Sequence, residues 1–221
     1  MDAIKKLKLN LDLSEFKIVM KTVVTNGKRL LDGMIDAYND VTKLNPTDAV
    51  EIYISTGDKM KQKGDYEGAI KSYKKVLDVD STHLETLMRL GKAYVYVGLP
   101  NEAIEVLSRA AVLNRSDAQC YFYLASSYYM IDEYAKALTA FSESIRLDPS
   151  FAEAYYKQGL VYDSMNEFDK SIEAYEHAIS LNPNFIKAYQ SIGLAYEGKG
   201  QREEALKYFK KALELEGKGF K

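Results

Sequence analysis

Small residues recur in this chain at a fixed interval: Gly57, Gly91, Ala125, Gly159 and Gly193 stand 34 residues apart, four times over, with no insertion. So strict a repeat constrains the fold more than any other feature, because a chain that repeats itself stacks like units instead of closing one unique core. Other positions keep the same interval. Four residues before the small residue stand Tyr53, Leu87, Tyr121, Tyr155 and Tyr189, and three after it stand Met60, Tyr94, Tyr128, Tyr162 and Tyr196. Twelve after it come Ala69, Ala103, Ala137, Ser171 and Ala205; nineteen after it come Val76, Ala110, Ser144, Ala178 and Ala212. Small residues let two helices approach closely, where larger ones would overpack the seam, and the aromatic residues fill the space between units. Seven residues after the small residue stand Gly64, Gly98, Asp132, Asn166 and Gly200. All are types that tolerate the left-handed backbone a tight reversal needs.

This is the tetratricopeptide pattern, a helix–turn–helix unit. It predicts an all-α superhelix, an α-solenoid of antiparallel helix pairs, with repeats at 50–83, 84–117, 118–151, 152–185 and 186–217 and a tail at 218–221. Pro149 and Pro183 are expected to close two of the second (B) helices, since proline cannot continue them. Ser81 and Arg115 take those places in the first two repeats, which predicts softer junctions there. The last B helix is expected near 203–216, with Lys207, Lys210, Lys211 and Glu214 on the polar outer face a capping helix needs.

Residues 1–49 leave the 34-residue interval but still read as helical. Phe16, Val19, Met20, Val23 and Val24 follow helical spacing, Asn26-Gly27 breaks the chain, and a second amphipathic stretch carries Leu30, Leu31, Met34, Ile35, Tyr38 and Val41 on one side. Asn45-Pro46 is read as its end, giving a degenerate sixth hairpin. Residues 1–29 hold seven basic against three acidic side chains, a local +4. That balance reads either as a solvated face or as attraction to an anionic membrane surface or an acidic partner patch.

Composition excludes several function classes. The formal net charge is -2, without the basic excess of a nucleic-acid binder. The single cysteine, Cys120, allows no intramolecular disulfide and no thiolate metal cluster, which fits a reducing cytoplasmic compartment. No run of about 18 apolar residues marks a transmembrane helix, and the N-terminus lacks a signal-peptide core. His83 and His177 have no neighbouring ligand pattern, and no phosphate loop, nucleophile elbow or metalloprotease motif occurs. Cys120 reads as a packing residue, with no basic partner to activate it. The expectation is a protein without catalytic group, metal or cofactor.

In such superhelices the first (A) helices line a concave groove, and slots 2, 5, 9, 12 and 13 of each repeat point into it. Of 18 tyrosines, 12 occupy structural slots; Tyr38, Tyr96, Tyr123, Tyr129, Tyr156 and Tyr208 do not. Tyr96, Tyr129 and Tyr156 fall in groove slots with Met88, Val95, Phe122, Met130 and Leu160, and such side chains in a concavity are the usual anchors of a protein interface. Lys92, Glu51, Asp58, Glu85, Gln119, Glu153, Asp163 and Lys187 surround them, a mixture suited to an amphipathic helix. The alternative is that the bulky residues merely pack on neighbouring A helices. Tetratricopeptide domains that hold chaperone tails use a clamp of lysines, asparagines and an arginine; Ile54, Asp58, Arg89 and Tyr123 do not make it. A free apolar stripe (Leu30, Leu31, Met34, Ile35, Tyr38) and a free apolar groove on one chain point to self-assembly, with the N-terminal hairpin of one copy in the groove of another; the competing reading folds the hairpin back on the first repeat of its own chain as an N-terminal cap.

Leu90-Gly91-Lys92-Ala93-Tyr94-Val95 through Gly98, Glu203-Glu204-Ala205-Leu206 and Phe209-Lys210-Lys211, in a chain of this length with a divergent helical N-terminus, resemble the magnetosome-associated tetratricopeptide proteins of magnetotactic bacteria. The resemblance implies a scaffold that is peripheral on the cytosolic face of the magnetosome membrane, forms homo-oligomers, recruits other magnetosome or membrane-associated proteins and supports biomineralization. Rival readings are a generic adaptor or secretion chaperone that binds an amphipathic peptide of another protein, and an accessory subunit of an enzyme.

Overall fold

The computed structural model describes residues 45–218, which form ten α-helices. They pair as α1 (Pro46–Gln62) with α2 (Tyr66–Val79), α3 (Leu84–Val97) with α4 (Pro100–Leu113), α5 (Ala118–Met130) with α6 (Tyr134–Leu147), α7 (Ala152–Ser164) with α8 (Phe168–Leu181), and α9 (Ile186–Gly198) with α10 (Arg202–Lys218). The all-α solenoid of five hairpins expected from the spacing is what folds. The N-terminal stripe Leu30, Leu31, Met34, Ile35 and Tyr38, with the rest of the expected sixth hairpin, lies outside the described residues. The pair Asn45-Pro46 starts a helix: the Asn45 side chain accepts a hydrogen bond from the Thr47 N–H at 3.3 Å and Pro46 takes the first helical position.

One seam recurs inside every hairpin. Sixteen residues after the small residue stand Tyr73, Leu107, Phe141, Tyr175 and Phe209. A Cβ added at Gly57, Gly91, Gly159 or Gly193 would run into the side chain of Tyr73, Leu107, Tyr175 or Phe209 respectively. In the third hairpin Ala125 and Phe141, both fully buried, share one cluster. The glycines are therefore required by a close crossing, and the ring that exploits the gap is itself fully buried at Tyr73 and Tyr175. Each such ring contributes about 1.5–3 kcal/mol of apolar burial.

The reversal between the helices of a pair uses one backbone device five times. Gly64, Gly98, Asp132, Asn166 and Gly200 all have positive φ, between 59° and 76°. The following residue then donates back across the turn: Asp65 to Met60, Leu99 to Tyr94, Glu133 to Tyr128, Glu167 to Tyr162 and Gln201 to Tyr196, at 2.9–3.0 Å. That bond satisfies a carbonyl the helix end would leave bare.

Between hairpins, proline does not decide the junction. At all four, an Asp or Asn follows the B helix and its side chain accepts the N–H two residues on: Asp80 from Thr82, Asn114 from Ser116, Asp148 from Ser150 and Asn182 from Asn184, at 2.9–3.2 Å. Their backbone angles agree closely, with φ from -135° to -131° and ψ from 90° to 98°. The junctions with Ser81 and Arg115 thus have the same geometry as those with Pro149 and Pro183, because the Asx turn sets it.

Each B helix also offers two apolar positions to the next hairpin. Ile70 and Leu77 of α2 share a cluster with Leu87 and Leu90 of α3, Ile104 and Ala111 of α4 with Cys120 and Leu124 of α5, and Ile172 and Ile179 of α8 with Ile192 and Ala195 of α9. The same two positions in α10 are Leu206 and Leu213, each 66% exposed. Lys207, Lys210, Lys211 and Glu214 are exposed as expected. The last helix is nevertheless no polar cap, because the two leucines made for a further hairpin stay bare.

Candidate functional site: the inner face of the stack

Successive A helices touch one another, α3 with α5 and α5 with α7, whereas no two B helices pack as closely. The stack therefore curves with its A helices inside, and the groove slots lie on that inner face.

Its first half is a lattice of charges. Arg89 on α3 reaches back to α1, with Nη1 donating to both carboxylate oxygens of Asp58 at 2.5 Å, while Nη2 donates to Glu85 at 2.6 Å. The Tyr73 hydroxyl donates to the same Asp58 at 2.7 Å, and burial with this carboxylate beside it pushes the phenol well above its ordinary value. Lys92 donates to Gln119 at 2.7 Å and sits 4.9 Å over the Tyr123 ring. Its ammonium is lowered by loss of solvent, then by the like charges of Lys61 and Arg89, while Asp117 works the other way. Burial, with Tyr96 beside it, brings the Tyr123 phenol up to about 12.

The second half is aromatic and apolar. Tyr129 shares a hydrogen bond with Ser164 of the next A helix at 3.0 Å, and Leu160 packs against the cluster of the fourth and fifth hairpins. The Tyr175 hydroxyl donates to Asp163 at 2.6 Å, and burial and that bond raise its phenol strongly. Lys157 is lowered by burial and by Lys187.

The structure separates the expected anchors into two kinds. Tyr96 is 60% and Met130 43% exposed. Tyr129, Leu160, Val95 and Lys92 are half-buried and present part of their surface. Met88 is only 9% exposed and belongs to the core, so its place among groove anchors is corrected. Phe122 and Tyr156 are largely engaged inside the stack: their rings meet Phe151 and Phe185, each with centroids 4.8 Å apart. Slot 5 thus belongs as much to the seam between hairpins as to the groove, because the residue just before the next A helix folds onto it. Leu194, missed among the anchors, is 59% exposed in slot 9 of the last hairpin. The slot rule already pointed to it, in register with Leu160.

Other candidates have structural work. Cys120 is buried, donates to the Leu107 carbonyl at 3.4 Å, and its thiol is pushed up to about 12 by burial, as suits a packing residue and not a nucleophile. His83 caps α3 through the Thr86 N–H at 3.3 Å, and His177 stacks on Tyr155. Among the described residues no cluster of three His, Cys, Asp or Glu side chains is placed to hold a metal, and no helix is long and apolar enough to cross a membrane.

Stacked hairpins with an inner face of this kind define a tetratricopeptide-repeat protein, a protein-interaction scaffold. Models of the tetratricopeptide repeat match residues 131–166, 152–185 and 186–218, and a model of anaphase-promoting complex, cyclosome, subunit 3 matches 62–144. One crystal structure of MamA protein is 56% identical, with a TM-score of 0.70 over 78% of this chain and 94% of that one. A second MamA crystal structure is 58% identical, with a TM-score of 0.69 over 74% and 95%. A MamA structure beginning at residue 41, from Desulfovibrio magneticus RS-1, is 26% identical with a TM-score of 0.72 over 77% and 97%. The CTR9 homologue of Arabidopsis thaliana is 32% identical over 80 residues, which is 36% of this chain and 7% of that protein. The chain belongs to the MamA family of tetratricopeptide-repeat proteins.

Proposed function

We propose that the protein is a non-enzymatic assembly scaffold that multiplies copies of itself into a coat and uses the coat to recruit other proteins. The observation that carries this reading is the set of bare apolar side chains on the inner face, Tyr96, Met130 and Leu194, framed by charged residues in a fold that recognises proteins. The N-terminal hairpin of one copy, through Leu30, Leu31, Met34, Ile35 and Tyr38, docks in the concave groove of another. The family likeness supports a place on the cytosolic face of the magnetosome membrane, held there peripherally, with other magnetosome proteins as the recruited partners. The basic 1–29 stretch supports direct attraction to an anionic lipid surface.

Light scattering behind size exclusion, run on the full chain across a concentration series, tests the assembly. Masses that grow with concentration are expected. A chain that stays monomeric at every concentration overturns the self-assembling reading and leaves an adaptor whose groove takes an amphipathic helix of a different protein.

A further inference from the structure

On the inner face a side-chain bond ties each A helix to the next, until the last pair. Asp58 of α1 holds Arg89 of α3, Lys92 of α3 donates to Gln119 of α5, and Tyr129 of α5 shares a hydrogen bond with Ser164 of α7. Among the described residues no side-chain hydrogen bond joins α7 to α9, and these two helices approach each other less closely than α3 and α5 do. The unbridged gap carries two cations. Lys157 of α7 is half-buried and Lys187 of α9 is exposed, and neither makes a hydrogen bond or ion pair among the described residues. Glu153, one turn earlier on α7, stands exposed without pairing to Lys157, and the Asp163 carboxylate is taken by the Tyr175 hydroxyl. Lys157 therefore meets loss of solvent and the like charge of Lys187 with no carboxylate to offset them, whereas Lys92 in the first half has Asp117.

We propose that Lys157 and Lys187 are the seat for an acidic side chain on an amphipathic helix of a partner protein, which supplies the bridge between α7 and α9 that the chain itself lacks. The inference rests on the reading of the inner face as a docking groove and names the chemistry of the protein it recruits. Charge complementarity chooses the occupant. A carboxylate set between two ammoniums accepts a charge-assisted hydrogen bond from each and turns their mutual repulsion into attraction. The Lys157 ammonium has already lost part of its water in the fold, so part of the desolvation cost of pairing it is met before the partner arrives. The same two helices define the apolar side of the occupant. Leu160 stands three residues after Lys157 and is half-buried; Leu194 stands seven after Lys187 and is 59% exposed. The two leucines hold the same slot in consecutive repeats, so a helix whose apolar stripe lies along them can bring a flanking aspartate or glutamate to the lysines.

Fluorescence anisotropy tests it on the full chain, held below the concentration at which its mass grows. The probes are three labelled synthetic helices that share a leucine stripe and carry glutamate, glutamine or lysine beside it. Wild type should bind the glutamate helix at least about tenfold more tightly than the glutamine helix, and the lysine helix most weakly. Lys157→Gln with Lys187→Gln should bring the glutamate and glutamine helices within about twofold of each other, and Lys157→Glu with Lys187→Glu should make the lysine helix the tightest. Lys210→Gln with Lys211→Gln removes the same charge from α10 and should leave the preference intact. A preference that is absent from wild type, that survives the changes at Lys157 and Lys187, or that falls as far with the changes on α10 overturns the seat while the groove stands. A wild type that binds none of the three helices overturns the groove reading beneath it. Glutamate-helix binding that is unchanged by Lys157→Gln with Lys187→Gln, while assembly of the chain fails, puts a second copy at the lysines and overturns the choice of partner. Helical circular dichroism on every variant separates these results from misfolding.

Discussion

In the first hairpin Tyr73 stands on Gly57 and donates to Asp58; in the fourth Tyr175 stands on Gly159 and donates to Asp163. The two sites then part. Arg89 on the following A helix meets Asp58 with a charge-assisted bond and is held in turn by Glu85. The fifth hairpin has Ser191 where the second has Arg89, and the buried Oδ1 of Asp163 meets no hydrogen-bond donor of the protein. The N-terminal half of the inner face therefore ties Asp58 into a charged network, although the buried Nε of Arg89 is itself left without an acceptor. The C-terminal half leaves a carboxylate oxygen unmet and, beyond it, the bare leucines of α9 and α10. A repeat that conserves its seam can thus vary its inner surface, because only the seam is fixed by packing.

The largest effect should come from the part the two halves share. Gly57→Ala and Gly159→Ala each place a methyl group inside the ring of Tyr73 or Tyr175, and should cost about 3 kcal/mol apiece. Urea denaturation followed by circular dichroism checks this. Unequal losses would show that one half yields around its tyrosine while the other does not.

Arg89→Ala should come next, at about 2 kcal/mol, since it removes the charged partner of Asp58 and frees Glu85. Hydrogen exchange should quicken in α1–α3 and stay unchanged in α7–α9. Loosening that spreads to the C-terminal half would contradict the separation of the two.

Much of this contrast is legible in the sequence itself. The 34-residue interval located the hairpins, their turn residues and their small seam residues because each answers to a local demand: close approach, positive φ, or a buried aromatic. The shared geometry of the junctions is harder to read, because proline is conspicuous while Asp80, Asn114, Asp148 and Asn182 all accept side-chain bonds that spacing does not announce. Met88 looked like a groove anchor because slot 5 was assigned to one surface, although a neighbouring hairpin covers it. The end of the stack is concealed for the opposite reason: the charges of α10 suggest a polar face, while Leu206 and Leu213 stand out only against their counterparts in the other four B helices.

Removing the two hydroxyls should discriminate the halves at about 1 to 2 kcal/mol. Tyr73→Phe leaves Asp58 with Arg89 and should be the milder change; Tyr175→Phe strips Asp163 of its one donor and should be the harsher. The alkaline limb of stability reports the same groups. Both phenols are raised in the fold, so an unfolded tyrosine ionises near its ordinary value of about 10 while the folded one stays neutral. Their contribution is complete below about pH 10 and falls as pH rises beyond it, because the unfolded state sheds its protons first. Thermal melts from pH 8 upward should show wild type losing stability above about pH 10 more steeply than the Tyr175→Phe variant.

Smallest in stability, and most telling for function, are Tyr96→Ala and Met130→Ala. Met130 is 43% exposed, and Tyr96, though stacked on Tyr66 at 5.1 Å, is 60% exposed. Each substitution should move the unfolding midpoint by no more than about 0.5 kcal/mol equivalent. If the groove is the working surface, both should weaken assembly or partner capture while the melt stays put. If binding survives both changes and fails on Leu194→Ala, the docking surface lies wholly in the open C-terminal half. The ion-paired wall around Arg89 would then serve to hold the first two hairpins rigid instead of to meet a partner.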